Sequence, residues 1–141
     1  MRLPPQDVLR SEPPPDDLLL VVRGGFRTLS DGHLANQTSD CWERHQFFGV
    51  SVFGAPNDDL IAVSAAVRAL RVRPVVRVAR CAALRAAGFE VMPTFPNPWH
   101  FSVVLADATP ATFEALRQCV GEPVRTRAMS LKADQLVRWW A

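Results

Sequence analysis

Tyrosine is absent from the 141-residue sequence, lysine occurs once (Lys132), and there are only three cysteines. Cys41, Cys81 and Cys119 are far apart and odd in number. This pattern excludes the disulfide framework that holds many small secreted domains together. We expect each cysteine to be a small buried apolar residue.

Long apolar runs are also missing. The first one, residues 18–22, is far shorter than the roughly 18 residues of a membrane-spanning helix. Pro4, Pro5, Asp7 and Glu12 interrupt any apolar segment of a secretory leader. We therefore expect no membrane partner and a cytoplasmic location.

Metal ligands occur without the spacing of a metal site. Cys41 and His45 are four residues apart on a predicted helix and share a face. A zinc site needs three or four ligands, and the other cysteines and histidines are scattered singly. The sequence therefore predicts no metal site.

What the chain does contain is enough apolar sequence, 48% of its residues, for one folded domain. Residues 1–17 carry five prolines and mixed charges, which predicts an extended or loosely attached proline-rich arm. Residues 18–141 are expected to form a single domain.

Short strands and helices are intermixed along that domain. We expect an α+β fold with a central mixed or antiparallel sheet flanked by three to five helices, because several connections are too short for a parallel crossover. The predicted strands are residues 18–23, 47–53, 74–79, 89–92, 99–106 and 123–128. The predicted helices are residues 34–46, 60–70, 81–87, 110–120 and a terminal helix after Ser130.

Three polar side chains interrupt otherwise apolar strands. Arg23, Ser51 and His100 each share a strand face with apolar residues, because alternate side chains point to opposite sides. Buried polar groups need partners. If these strands are neighbours, the three side chains converge on one cleft; otherwise each lies at a strand end or bonds to backbone.

Two local segments suggest a ligand site. Arg23 is followed by Gly24 and Gly25, and an arginine beside glycines can hold a phosphate bidentately, although a tight turn gives the same pattern. The proline-rich loop 93–98 can frame a pocket mouth, with Thr94 and His100 as its polar groups, or can be a stiff connector.

Charge is distributed unevenly. Residues 1–60 hold 5 basic and 9 acidic groups, whereas residues 61–141 hold 11 and 5. This asymmetry is compatible with an anionic partner or with a solvated basic face. One alternative is RNA binding or metal-independent RNA cleavage, with Arg71, Arg73 and Arg77 on phosphates and His45 and His100 as acid and base.

The chain ends in Trp139-Trp140, which predicts either a partner-binding surface or docking onto the core. The first alternative predicts that the protein is a non-catalytic module that binds a small protein.

Four segments carry a family resemblance: VVRGG (21–25), FGVSVF (48–53), LRAAGFEVMPT (84–94) and PNPWHFSVVL (96–105). They are similar to a family of small actinobacterial proteins with no assigned activity. This resemblance implies a small bacterial accessory protein that acts with a second small protein, in a two-component or toxin–antitoxin-like pair.

Arg23-Gly24 at the end of an apolar strand, followed by a strand with central Ser51, more distantly resembles ADP-ribosyltransferase-like toxin domains. That resemblance implies NAD as cofactor or substrate. Arg23 would hold the pyrophosphate, Ser51 would orient the ribose, and His100 or Glu90 would stabilise the cationic ribosyl transition state. No tyrosine exists to stack on nicotinamide, so a phenylalanine would replace it.

Overall fold

The β-branched and aromatic segments of the sequence form one six-stranded sheet. The computed structural model describes residues 1–10, 12–71, 73, 75–95 and 97–126. The strands are β1 (Leu19–Gly24), β2 (Phe48–Ala55), β3 (Val75–Arg80), β4 (Glu90–Pro93), β5 (His100–Leu105) and β6 (Val124–Arg125). Their order is β4-β5-β2-β1-β3-β6, and every neighbouring pair is antiparallel. The predicted α+β class is confirmed.

Within the described residues there are four α-helices, α1 (Asp31–His45), α2 (Leu60–Ala66), α3 (Cys81–Ala86) and α4 (Pro110–Gln118). Ser30, Asp59 and Thr109 cap α1, α2 and α4, because their side-chain oxygens accept a backbone hydrogen bond from the first turn. None of the helices in this part of the chain has the length and apolar character needed to cross a lipid bilayer.

The second predicted helix is shorter than expected. It ends at Ala66 instead of continuing to residue 70, and Val67 is extended before a separate 3₁₀ turn, Arg68–Leu70. Ending a helix leaves carbonyl groups without intrahelical partners. The Nε atom of Arg71 donates to one of them, the Ala65 oxygen, at 2.7 Å.

Apolar side chains pack on both sides of the sheet. On the first face, Leu20, Val50 and Val103 belong to a core that includes residues of α1, α3 and α4. On the second face, Val21 and Val76 pack with residues of α2 and the following turn. α2 and the following turn therefore cover the part of the second face around β1 and β3.

β1 and β2 separate part-way along their length. They pair from Leu19–Ala55 to Val21–Phe53 and no further, although both strands continue. At the same point, the register between β1 and β3 shifts between Val21 and Arg23, which inserts one extra residue in β1. Such a β-bulge bends its strand. The bend produces a fork between β1 and β2 beyond Val21.

The N-terminal arm is attached to the domain beside β4. Leu9 forms an antiparallel bridge with Thr94, and the Arg10 amide donates to the Pro93 oxygen at 3.0 Å. The Phe95 amide donates to the Val8 oxygen, also at 3.0 Å. The arm therefore extends the sheet edge past the end of β4 and contributes residues to the second face.

Candidate functional site

Ser51 and His100 meet on the second face because β2 pairs with β5. The register sets Ser51 opposite Ser102 and Phe53 opposite His100, so these side chains lie on one face. The Nε2 atom of His100 is 3.0 Å from the Oγ atom of Ser51. Two of the three polar side chains singled out from the strand patterns are thus in direct contact.

Thr94 determines which ring nitrogen of His100 carries the hydrogen. The Nδ1 atom lies 2.9 Å from the Thr94 Oγ1 atom and 3.3 Å from the Thr94 carbonyl oxygen. A carbonyl oxygen only accepts hydrogen bonds, so we assign the hydrogen to Nδ1. Nε2 is then the acceptor, and the Ser51 hydroxyl donates to it.

Arg10 of the N-terminal arm bonds to the backbone on both sides of this contact. Arg10 donates through Nε to the Thr94 oxygen at 2.9 Å and through its terminal nitrogen to the His100 oxygen. Burial of the ring lowers the pKa of His100 below its usual value of 6.5; the Thr94 backbone opposes this shift and the Arg10 charge adds to it. The imidazole is therefore neutral at pH 7.

A cavity of about 500 Å³ opens next to this pair, between α1, the β2–β5 surface and the arm. Its apolar lining includes Val8, Phe47 and Phe95. Cys41 also faces it, but burial raises the pKa of that thiol to about 11. The thiol is therefore protonated and is not a nucleophile at neutral pH.

A second cavity of about 860 Å³ occupies the fork between β1 and β2. It shares Ser51 and Gln37 with the first cavity, so the two cavities adjoin at Ser51, and together they are called the cleft below. Arg23, Arg27 and Arg73 line the second cavity. Of the three side chains predicted to converge, Arg23 lines the second cavity, His100 lines the first, and Ser51 lines both.

Among the described residues, no carboxylate lines the arginine end of the cleft. Burial, followed by the charges of Arg27, Arg73 and Arg77, lowers the pKa of Arg23. Within the described part of the chain, none of these four arginines forms an ion pair. Their positive charges repel one another, and a bound anion would relieve that repulsion.

The two glycines after Arg23 shape this end of the cleft. A Cβ atom on Gly24 would lie 2.8 Å from the Arg73 Cγ atom, so the missing side chain gives Arg73 its place. Gly25 has a φ angle of 92°, which favours glycine. Both glycines predicted at the ligand site therefore lie in the lining of the cavity.

Gln37 stands between the two cavities, in the fork that β1 leaves open. Its Oε1 atom accepts from the Ser51 amide at 2.9 Å, in place of a ladder bond to β1. Its Nε2 atom lies 2.7 Å from the Nε2 atom of His33. Since a backbone amide only donates, the oxygen of Gln37 faces Ser51 and its nitrogen faces His33, which accepts.

Sequence reasoning missed Gln37, His33, Arg10 and Arg27. The spacing of His33 and Gln37, four residues apart on a predicted helix, places them on one helix face and was the available signal. Nothing in the sequence indicates that Arg10 of the arm reaches Thr94, which lies 84 residues away along the chain.

The remaining predicted residues lie elsewhere. Glu90 is exposed on β4, pairs with Val104, and lines neither cavity. Of the three arginines proposed for RNA, only Arg73 lines the cleft, whereas Arg71 bonds to Ala65 and Arg77 bonds to carbonyl oxygens of Phe26, Arg27 and Gly121. Trp139 and Trp140 lie outside the described residues. Within the described ranges, no group of three or more His, Cys, Asp or Glu could hold a metal ion.

No family model matches the chain, and no curated protein or solved structure is significantly similar to it.

Proposed function

We propose that the cleft across Ser51 binds a phosphate-bearing ligand, with the phosphate at the arginine end. The observation that carries this proposal is the group of Arg23, Arg27 and Arg73 around one cavity, with no acid among the described residues that line it. Guanidinium groups bind phosphate bidentately and keep their charge at all physiological pH values.

The size and shape of the cleft support a ligand larger than phosphate itself. Its two cavities, of about 500 and 860 Å³, fall within the usual range of small-molecule sites. A ligand with phosphate at Arg23 reaches Ser51 and His100 with its other end. Phe53, which lines the arginine end, offers an aromatic surface to a base or another flat group.

NAD is the ligand to test first, because its pyrophosphate and two flat bases suit this cleft. In the ADP-ribosyltransferase-like version of the proposal, His100 is the residue near the reacting ribose. The exposed position of Glu90 favours His100 over Glu90 in that role. The proposed partnership with a second small protein rests on Trp139-Trp140 and on the family resemblance.

The test is calorimetric titration of the full chain with inorganic pyrophosphate, ADP and NAD. We expect Arg23→Ala and Arg73→Ala to weaken binding about 10- to 100-fold, because each removes charge-assisted hydrogen bonds. Arg68→Ala is the matched control, since Arg68 is exposed and lies outside the cavity lining. Equal affinities for Arg23→Ala and Arg68→Ala, or no binding of any of the three compounds, would overturn the proposal.

A further inference from the structure

The geometry points to Ser51 as a nucleophile that attacks the carbonyl carbon of a carboxylic ester, with His100 as its general base. This inference needs only the Ser51–His100 pair and the cavity beside it. The one part that rests on the proposed function is the phosphate on the substrate, which would lie at the arginine end of the cleft.

Three observations make Ser51 competent for this role. Its side chain is exposed, so a substrate can reach the Oγ atom. That atom donates its hydrogen to the unprotonated Nε2 atom of His100, 3.0 Å away. The opposite side of the ring is fixed by Thr94, whose hydroxyl also bonds to Ser102 at 2.8 Å. A nucleophile, a base and a group that orients the base are therefore linked by consecutive hydrogen bonds.

The proposed ester hydrolysis needs no reagent other than the ester and water. Ser51 Oγ forms a bond to the carbonyl carbon, and its proton passes to His100 Nε2. The bond from that carbon to the alcohol oxygen then breaks, and the alcohol leaves with the proton from His100. Water adds to the acyl-serine and gives a proton to His100, which returns it to Ser51 as the acid departs.

In this scheme, the side-chain nitrogen of Gln37 would donate to the negative oxygen that forms during this attack. Its nitrogen carries two hydrogens, and His33 accepts one of them. The second hydrogen remains for an oxyanion next to Ser51, whose amide is held by the oxygen of the same side chain. Side-chain amides supply such donors in other acyl-transfer sites.

The two halves of the cleft define the class of ester. Val8, Phe47 and Phe95 give the cavity beside His100 an apolar part that would take a short acyl group, although Asp40, Arg44 and His45 also line this cavity. The arginine end would take a phosphate on the alcohol. The substrate class is therefore a short-chain acyl ester of a phosphate-bearing alcohol.

Phenylmethylsulfonyl fluoride, which forms a sulfonyl ester with activated serines and releases fluoride, tests the nucleophile directly. We expect mass spectrometry of the full-length chain to find the label on Ser51. Ser51→Ala should abolish labelling, whereas Ser39→Ala, which changes an exposed serine of α1, should leave it unchanged. Because Ser51 is exposed, the alanine variant keeps the fold, and circular dichroism checks this. Absence of label on Ser51 in the wild-type chain would overturn the inference.

Hydrolysis of p-nitrophenyl acetate, a neutral ester, tests the base. His100→Gln keeps a polar group near Ser51 but cannot take a proton, so we expect the Ser51-dependent rate to fall about 100-fold or more. The wild-type rate should fall on acidification with a midpoint below pH 6.5, following the lowered pKa of His100. A rate equal to that of Ser51→Ala in the wild-type chain would contradict the inference.

Thr94 is a positioning residue in this scheme, and Gln37 is a donor to the oxyanion. Thr94→Val should lower the rate about 10-fold and Thr94→Ser should restore it, because only the hydroxyl matters. Gln37→Glu keeps the acceptor for Ser51 but removes the donor, so kcat should fall with little change in KM.

Pyrophosphate separates this inference from the proposed function. If it binds through Arg23 and protects Ser51 from the sulfonyl label, both proposals are supported. If Ser51 is labelled but pyrophosphate neither binds nor protects, the nucleophile stands and the phosphate site is wrong. If pyrophosphate binds and Ser51 is not labelled, the phosphate site stands and the nucleophile is wrong.

Discussion

Replacing Gly49 by alanine tests how tightly α1 packs against the site. A Cβ atom at this position would lie 2.6 Å from the Phe47 ring and 2.9 Å from the Cys41 sulfur. Both distances are shorter than carbon normally tolerates, and Phe47 is buried, so its ring has little room to move. The new methyl group must therefore push α1 and residue 47 away from β2.

The expected loss follows from two opposing effects. Forcing an extra methyl group into a packed region costs about 1–3 kcal/mol. Replacing glycine by alanine in a regular element returns about 0.5–1 kcal/mol by reducing the freedom of the unfolded chain. We expect the free energy of unfolding of Gly49→Ala to be lower by about 1–2 kcal/mol. In a chain of this size, that lowers Tm by roughly 5 °C.

Gly32→Ala is the matched control, because a Cβ atom at Gly32 in the first turn of α1 meets nothing within 4 Å. We expect that variant to be as stable as the wild-type chain or slightly more so. Urea and thermal unfolding followed by circular dichroism measure both variants. If Gly49→Ala is as stable as Gly32→Ala, the described contact between α1 and β2 is not correct.

Three further predictions concern the stability of the fold. The lowered pKa of His100 means that the unfolded chain binds a proton at a higher pH than the folded chain does, so the free energy of unfolding should decrease as the pH falls below 6.5. Urea titrations at several pH values should show a smaller decrease in His100→Gln. The same dependence of unfolding free energy on pH in both proteins would contradict this prediction. Leu116→Ala, in the fully buried core of the first face, should cost about 2–5 kcal/mol in chemical denaturation. Thr109→Ala, which removes the cap of α4, should cost about 1 kcal/mol, and Thr109→Ser should recover most of it.

Strand periodicity was sufficient to predict half of the candidate site. The alternation in β2 and β5 assigns Ser51 and His100 to particular strand faces, whichever strands are neighbours. Their contact needs the pairing of β2 with β5 in one specific register, Ser51 opposite Ser102. That pairing joins segments about fifty residues apart, and local pattern carries no information about it.

The arginine end of the cleft could be predicted only in part. Simple alternation places Arg23 on the face of Val21, and both residues line the second cavity, but the bulge at Val22 shifts the register with β3 between them. A bulge of one residue has no reliable signature in a run such as VVRGG, because apolar residues on both sides suit either register. The helix spacing of Gln37 was visible in the sequence, but its contact with Ser51 in the fork between β1 and β2 could not be predicted from that spacing.

The ends of the helices were likewise predictable only where nearby residues determine them. Ser30, Asp59 and Thr109 have the side chains that favour helix starts, and Asp59 and Thr109 could be recognised in the sequence. After α2 ends, the Ala65 carbonyl accepts a hydrogen bond from the side chain of Arg71, a contact that helix propensity does not predict. Propensity alone favours continuation through this alanine-rich segment.

The fork between β1 and β2 also has a kinetic consequence. Since β1 and β2 separate next to the register shift, the cleft is already present in the free protein. In the proposed function, a ligand would meet Arg23 and Ser51 in this arrangement, so little reorganisation energy would oppose binding. Association with an anion should then be fast, should slow as ionic strength rises, and should show a single kinetic phase.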